Sequence, residues 1–171
     1  MSDDPTADRS LPPSEPFGRT VLFVCTGNTC RSPLAEALCR KMLADRLGLL
    51  ESELPARGYT IRSAGIAAFA GDAASPDAVE IAARFGADLA PHRSRPVNPE
   101  LLATSTDVIA MTAGHLAVLM MRYPADGPMP ELLAGEDDVP DPIGGTRQEY
   151  ELCAALIAAH LDRRIADWTR T

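Results

Sequence analysis

A chain of 171 residues and 18.2 kDa is long enough for one domain with a full core and short for two. Its 46% apolar and 23% charged residues are ordinary globular composition and exclude a mostly disordered protein. With 16 Lys+Arg against 24 Asp+Glu the net charge is −8, a field that repels nucleic acid and anionic membranes, and no apolar run is long enough to span a bilayer.

Residues 1–18, MSDDPTADRSLPPSEPFG, are acidic and proline-rich and lack an apolar segment. They read as a disordered leader rather than a secretory signal, which leaves 19–171 for the folded domain. The four cysteines, at 25, 30, 39 and 153, are then expected as free thiols of a cytoplasmic protein.

Thr20 to Val24 is a short β-branched and apolar run suited to a strand buried on both faces. It runs into a polar turn, Cys25 to Ser32. Pro33 opens a helical segment with Leu34, Leu38 and Met42 at i, i+4 and i+8, and with Glu36, Arg40 and Lys41 elsewhere on its surface. Ser32 is the expected N-cap, its hydroxyl accepting from a free N–H of the first turn. Tyr59 to Ser63 reads as a second strand, followed by the small-residue turn Ala64-Gly65. Ser75-Pro76 has the form of a cap and first helical position, for a helix ending near Gly86.

Asp107 to Met111 is a third buried strand, and a short helix with Leu116, Leu119 and Met120 follows it. A weaker apolar stretch from Met129 to Leu133 is placed as a fourth strand. Thr146 to Glu149 matches a capping box, and the helix it starts carries Cys153, Leu156, Ile157, His160, Leu161 and Ile165 on one stripe. Strands alternating with helices predict a three-layer α/β/α fold around a central, mainly four-stranded parallel sheet. One domain is expected.

The chemistry is concentrated between the first strand and the first helix. In open α/β sheets, ligands bind beyond the carboxyl ends of strands, where helix N-termini present unpaired N–H groups. That location holds Cys25, five intervening residues, Arg31 and Ser32. Gly27 permits backbone angles that turn amides inward, and Asn28 tolerates the left-handed conformation such a loop needs. Inward amides, the helix dipole, Arg31 and the Ser32 hydroxyl all favour a Cys25 thiolate, a strong nucleophile. The planar fork of Arg31 can bind two phosphoryl oxygens at once. These parts describe phosphoryl transfer to sulfur; a merely buried strand-end thiol would account for Cys25 but not for its surroundings.

The stretch Val24 to Ala37, VCTGNTCRSPLAEA, resembles the N-terminal signature of the low-molecular-weight protein phosphatases. Ser63-Ala-Gly65, His92-Arg-Ser-Arg95 and Asp141-Pro-Ile-Gly144 follow in that family's order, so the resemblance runs from about Arg19 to Arg164 and leaves the leader outside. It implies a phosphate-binding loop of Thr26, Gly27, Asn28, Thr29, Cys30, Arg31 and Ser32. It also implies a two-step reaction through a cysteinyl-phosphate on Cys25, with Asp141 as general acid and then general base. The chemistry needs such an acid, because the leaving atom must be protonated as its bond to phosphorus breaks. On its own, Asp-Pro before Gly-Gly is equally an ordinary turn.

Thr29 discriminates between substrates. Tyrosine-directed members of the family usually carry an aliphatic residue there, and arginine-directed members threonine. A hydroxyl adds a polar partner and trims bulk at the pocket wall, which suits a guanidinium better than a phenyl ring. Ile143 departs both from the aromatic residue common in tyrosine-directed members and from the phenylalanine of some arginine-directed ones. The resemblance therefore implies phosphorylated proteins as partners and phosphoarginine as the substrate, with phosphotyrosine as the alternative. It further implies that Asn28, Ser63 and His92 form a polar network behind the loop, as preorganised amides require.

Cys30, across a tightly curved loop, can pair with Cys25 under oxidation and protect it. Cys39 and Cys153 fall in helical patterns as packing residues. His115 and His160 have no partners at ligand spacing, so no metal and no cofactor is expected. Arg93 and Arg95 read equally as solvated charges or rim contacts. A thioredoxin-linked arsenate reductase shares the fold but needs a downstream cysteine relay, and none lies between Cys39 and Cys153. A non-catalytic phosphate-binding module would be expected to lack Cys25, Arg31 or Asp141.

Overall fold

Strands β1 (Thr20–Cys25), β2 (Thr60–Gly65), β3 (Asp107–Ala110) and β4 (Glu131–Leu132) form one sheet in the order β2-β1-β3-β4, with every pair parallel. The structure is a computed structural model and describes residues 18–170; the leader expected over 1–18 therefore lies outside the described residues except for Gly18. β1 is central because a run without polar side chains can be buried on both faces, and Val21 to Val24 have no exposed surface.

Alternation along β1 splits the core in two. Val21, Phe23 and Cys25 face a layer made by α1 (Arg31–Leu47), α2 (Pro76–Arg84) and α5 (Arg147–Trp168). Leu22 and Val24 face the opposite layer, with Leu101 and Leu102 of α3 (Pro99–Ala103) and Leu119 of α4 (Ala113–Arg122). Helices on both faces complete the three layers. Among the described residues no helix is long and apolar enough to cross a membrane.

Caps read from the sequence at Ser75 and Thr146 are present. Ser75 Oγ accepts from Ala78 N at 3.3 Å, and the Thr146–Glu149 capping box opens α5. Other expectations are corrected. Helix α1 starts at Arg31 with Cys30 in the cap position, and no side chain caps it, because the Ser32 hydroxyl is turned inward to other partners. Glu36 is buried rather than on the surface: every residue from Arg31 to Cys39 is enclosed between the sheet, α2 and α5. Ala64 and Gly65 continue β2 instead of turning, paired with Val24 and Cys25.

Two elements differ in extent. The fourth strand is only two residues long, and Met129 before it is exposed, so the apolar stretch overstates it. Helix α3 was not anticipated, although Asn98-Pro99 is a cap signal and Asn98 Oδ1 accepts from Leu101 N at 2.8 Å.

Candidate active site

Parallel pairing brings the ends of β1 and β2 level, with Cys25 beside Gly65, and the chain then turns through residues 26–30 into α1. The carbonyls of this loop point away into the protein. Cys25 O accepts from Ile66 N (2.9 Å), Thr26 O from Ala67 N (3.0 Å) and Thr29 O from Ser75 N (2.8 Å). The backbone N–H groups from Thr26 to Ser32 have no protein acceptor among the described residues. Carbonyls outward and amides unpaired at a helix N-terminus make a cradle for an anion.

Asn28 makes the turn possible. Its φ of 55° is the only left-handed value at a non-glycine among the described residues. The side chain holds that conformation: Nδ2 donates to Ser32 Oγ and Ser63 Oγ, both at 2.9 Å, and Oδ1 accepts from Arg95 N at 2.9 Å. His92 Nε2 donates to the Asn28 carbonyl at 2.7 Å. Gly27, by contrast, does not take a left-handed angle, and an added Cβ there would make only an ordinary contact with Thr29 Oγ1 at 3.6 Å. The sterically required glycine is Gly65, where a Cβ would stand 2.4 Å from Thr26 O and 3.0 Å from Asn28 N.

The hydrogen bonds diverge from Asn28, one branch passing through Ser63 to Glu36 and the other through Ser32 to sulfur. Arg40 donates to Glu36 Oε1 at 2.6 Å, and Ser63 Oγ donates to Glu36 Oε2 at 2.5 Å. Ser63 and Ser32 both accept from Asn28, which leaves the Ser32 proton for Cys25 Sγ at 2.9 Å, with Ala64 O more distant at 3.4 Å. A donor aimed at sulfur suits a sulfur that carries negative charge. Glu36 and Arg95, which read from the sequence as surface charge and ambiguous charge, thus belong to the loop's support; Arg95 Nε also donates to Ser63 O at 3.0 Å. Arg93 donates to its neighbour's carbonyl, His92 O, at 2.7 Å.

Arg31 is buried, with Nη1 donating to Val139 O at 3.1 Å and Nη2 3.4 Å from Asp141 Oδ2. The other Asp141 oxygen accepts from Ile143 N at 3.1 Å. A cleft of about 210 Å³ brings Cys25, Thr26, Gly27, Thr29, Cys30, Arg31, Asp141 and Ile143 together, with Ile143 exposed at the rim. Asn28, Ser32, Ser63 and His92 stand behind it. Beside it, a second cleft of about 200 Å³ is lined by Pro140, Asp141, Pro142, Glu149, Leu152, Cys153 and Leu156.

All four cysteines are buried free thiols. Burial pushes Cys30 up to about 12, reinforced by Cys153, Asp141 and Cys25. Burial likewise raises Cys39, and raises Cys153 to about 11. Cys153 does more than fill a helix stripe, since its Sγ lies 3.8 Å from Pro140 O, under the segment carrying Asp141.

His92 is lowered by burial, an effect its bond to Asn28 O opposes. His115, which sequence spacing left isolated, is buried against the loop: Nε2 lies 2.8 Å from Thr26 Oγ1 and Nδ1 3.0 Å from Thr112 Oγ1. Burial and then the Arg31 charge lower it to about 4. No spacing in the sequence reveals the Thr26 contact, which crosses from the loop after β1 to α4. Among the described residues no group of three or more His, Cys, Asp and Glu side chains is placed to hold a metal ion.

Fold and cleft together are those of a cysteine-type protein phosphatase. Residues 20–169 match the family described as low molecular weight phosphotyrosine protein phosphatase, and the chain belongs to that family. It is 38% identical over 159 residues to the protein-arginine-phosphatase of Bacillus subtilis (strain 168), covering 84% of this chain and 99% of that protein. It is 32% identical over 146 residues to the probable low molecular weight protein-tyrosine-phosphatase EpsP of Ralstonia solanacearum, covering 84% of this chain and 92% of EpsP. Among solved structures, YwlE arginine phosphatase, as a cysteine-to-serine variant with a phosphorylated active-site serine, superposes with a TM-score of 0.76 at 32% identity, over 86% of this chain and 94% of that one.

Proposed function

We propose that the protein hydrolyses phosphoarginine in proteins, and that Cys25, Arg31 and Asp141 carry the reaction. The phosphoryl oxygens are held by the amides from Thr26 to Ser32 and by the Arg31 fork, which meets their charge without any reorganisation during the step. Cys25 sulfur attacks phosphorus as a thiolate; the S–P bond forms, the P–N bond breaks, and Asp141 gives its proton to the leaving nitrogen. A water then attacks the cysteinyl-phosphate, Asp141 takes the water's proton, and inorganic phosphate and the Cys25 thiolate are released.

The observation that carries the choice of substrate is the Thr29 side chain on the cleft wall beside Cys25. Its hydroxyl offers a polar partner where a planar guanidine enters, and its small size leaves that path open. The arginine phosphatases among the relatives support the same reading. Phosphotyrosine is the second reading, favoured by the tyrosine phosphatases among the relatives.

The deciding experiment measures kcat/KM on phosphoarginine and phosphotyrosine peptides for the wild type, Cys25→Ser and Thr29→Ile. Wild type is expected to prefer phosphoarginine and Cys25→Ser to be inactive on both. Thr29→Ile is expected to move the ratio toward phosphotyrosine by about 10- to 100-fold, the range one side-chain contact commands. Turnover of phosphotyrosine alone by the wild type overturns the proposal.

Cys30 completes the reading as a redox partner. After a peroxide oxidises Cys25 to the sulfenic acid, the Cys30 thiol attacks its sulfur, the S–O bond breaks with loss of water, and the disulfide formed is reopened by a thiol reductant. The burial that pushes Cys30 up to about 12 makes this pairing slow near neutral pH.

A further inference from the structure

Two imidazoles bear on the loop from opposite sides. His92 holds the Asn28 carbonyl, whereas His115 reaches the side chain of Thr26, the first residue after the cysteine. His115 is only 4% exposed, while Thr26 is exposed and lines the cleft. A buried ring is thus spent on orienting an exposed hydroxyl.

Each tautomer of His115 leaves one threonine hydroxyl hydrogen without a protein acceptor, and burial selects between them, since Thr26 is exposed and Thr112 half-buried. Thr112 Oγ1 already accepts from the His115 backbone N–H at 3.2 Å, as the cap of α4. If Nδ1 carried the ring proton, Thr112 would accept twice and its own hydrogen would find no acceptor among the described residues. With the proton on Nε2, Thr112 donates to Nδ1 and Nε2–H donates to Thr26 Oγ1, so the one hydroxyl hydrogen left over is on the exposed Thr26 rather than the half-buried Thr112. The oxygen of Thr26 is then committed to His115, and its hydrogen is left for the cleft.

We propose that His115 is a positioning residue of the phosphatase site: as a neutral Nε2–H imidazole it orients Thr26, so that the Thr26 hydroxyl donates to the anion bound above Cys25. This rests on the reading of the Cys25 loop as the phosphoryl site. Neutrality follows from the surroundings. His115 lies in the first turn of α4, where the helix dipole opposes a cation, and Arg31 adds like charge; Asp138 and Asp141 are the opposing acidic groups. Burial outweighs those two acids.

The pairing is tested in two ways. Nitrogen-15 spectra of the imidazoles in the whole protein at neutral pH should show His115 protonated on Nε2; an Nδ1–H pattern overturns the proposal. Second, Thr26→Val, His115→Leu and the double variant are compared in turnover of an aryl phosphate and in inhibition by inorganic phosphate. Each single change is expected to weaken phosphate binding and kcat/KM by about fivefold, the worth of one hydrogen bond. The double variant should be no worse than either, and His115→Gln, with an amide N–H near the same place, should recover most of the loss. Losses that multiply in the double variant, or a Thr26→Val protein equal to wild type, overturn it. An inactive wild type refutes the phosphatase reading instead, and the spectra still decide the pairing.

Discussion

Cys25 and Asp141 face one cleft, yet Cys25 is 3% exposed at the end of the central strand, whereas the Asp141 side chain is 47% exposed in a segment without helix or strand. Around the sulfur, a chain of buried hydrogen bonds links Glu36, Ser63, Asn28 and Ser32, with half-exposed Arg40 at its outer end. Around the carboxylate, the polar partners among the described residues are the Ile143 amide and Arg31 at 3.4 Å. The difference follows from what each half must do. Charge stabilisation works best from fixed dipoles shielded from water, whereas a proton that is given away each turnover must be regained from solvent.

The sharpest way to separate the halves is Asp141→Asn. It removes the proton without touching the buried network, so kcat on phosphoarginine should fall by about 10²- to 10⁴-fold while unfolding free energy changes by less than about 0.5 kcal/mol. The loss should shrink on an aryl phosphate whose leaving oxygen needs little protonation. Equal losses on both substrates in steady-state kinetics would mean that Asp141 acts through something other than its proton.

The opposite result is expected at Asn28. Asn28→Ala removes three side-chain hydrogen bonds and leaves a residue with no side-chain compensation at a φ of 55°. Denaturant unfolding should show a loss of about 2–4 kcal/mol, and activity should fall with it. A stable but inactive Asn28→Ala protein would show that the network aims the loop without holding the fold.

Acid titration probes the same buried half. His115 is lowered to about 4 in the folded chain, while an unfolded histidine titrates near 6.5. Between those values the unfolded chain binds more protons, so stability falls as pH falls through the window. The contribution is about 3 kcal/mol at full extent. His92 is shifted in the same direction. Unfolding curves at pH 7 and pH 4.5 for wild type and His115→Gln isolate it: the variant should lose less stability on acidification.

This contrast also explains what the sequence made legible. Local signals were readable: the apolar run of β1, the caps at Ser75 and Thr146, and the Cys25–Ser32 spacing all act within a few residues. The misreadings share one cause, a partner that only the folded arrangement brings to the side chain. Ser32 looks like a cap until Asn28 and Cys25 claim its hydroxyl, and Glu36 looks like surface until Ser63, 27 residues on, donates to it. Gly65 reads as a turn because its close neighbour Thr26 O lies 39 positions earlier. His115 meets Thr26 across 89 positions, where no spacing rule reaches.

The smallest effect is expected where the two halves are tied together. Asp138 Oδ1 accepts from Ala113 N at 2.7 Å, and Val139 N donates to Met111 O at 2.8 Å, which anchors the segment before Asp141 to the end of β3 and the start of α4. Asp138→Ala removes the first anchor and leaves the second. As an exposed acceptor at a helix N-terminus, Asp138 should contribute about 0.5–1 kcal/mol to stability, with kcat reduced only about twofold. If the acid worked from a geometry as tightly fixed as that of the sulfur, loosening this anchor would instead reproduce much of the Asp141→Asn loss. A kcat for Asp138→Ala within a few-fold of wild type therefore distinguishes a carboxylate that finds its leaving group from solvent-facing freedom from one locked in place by the fold.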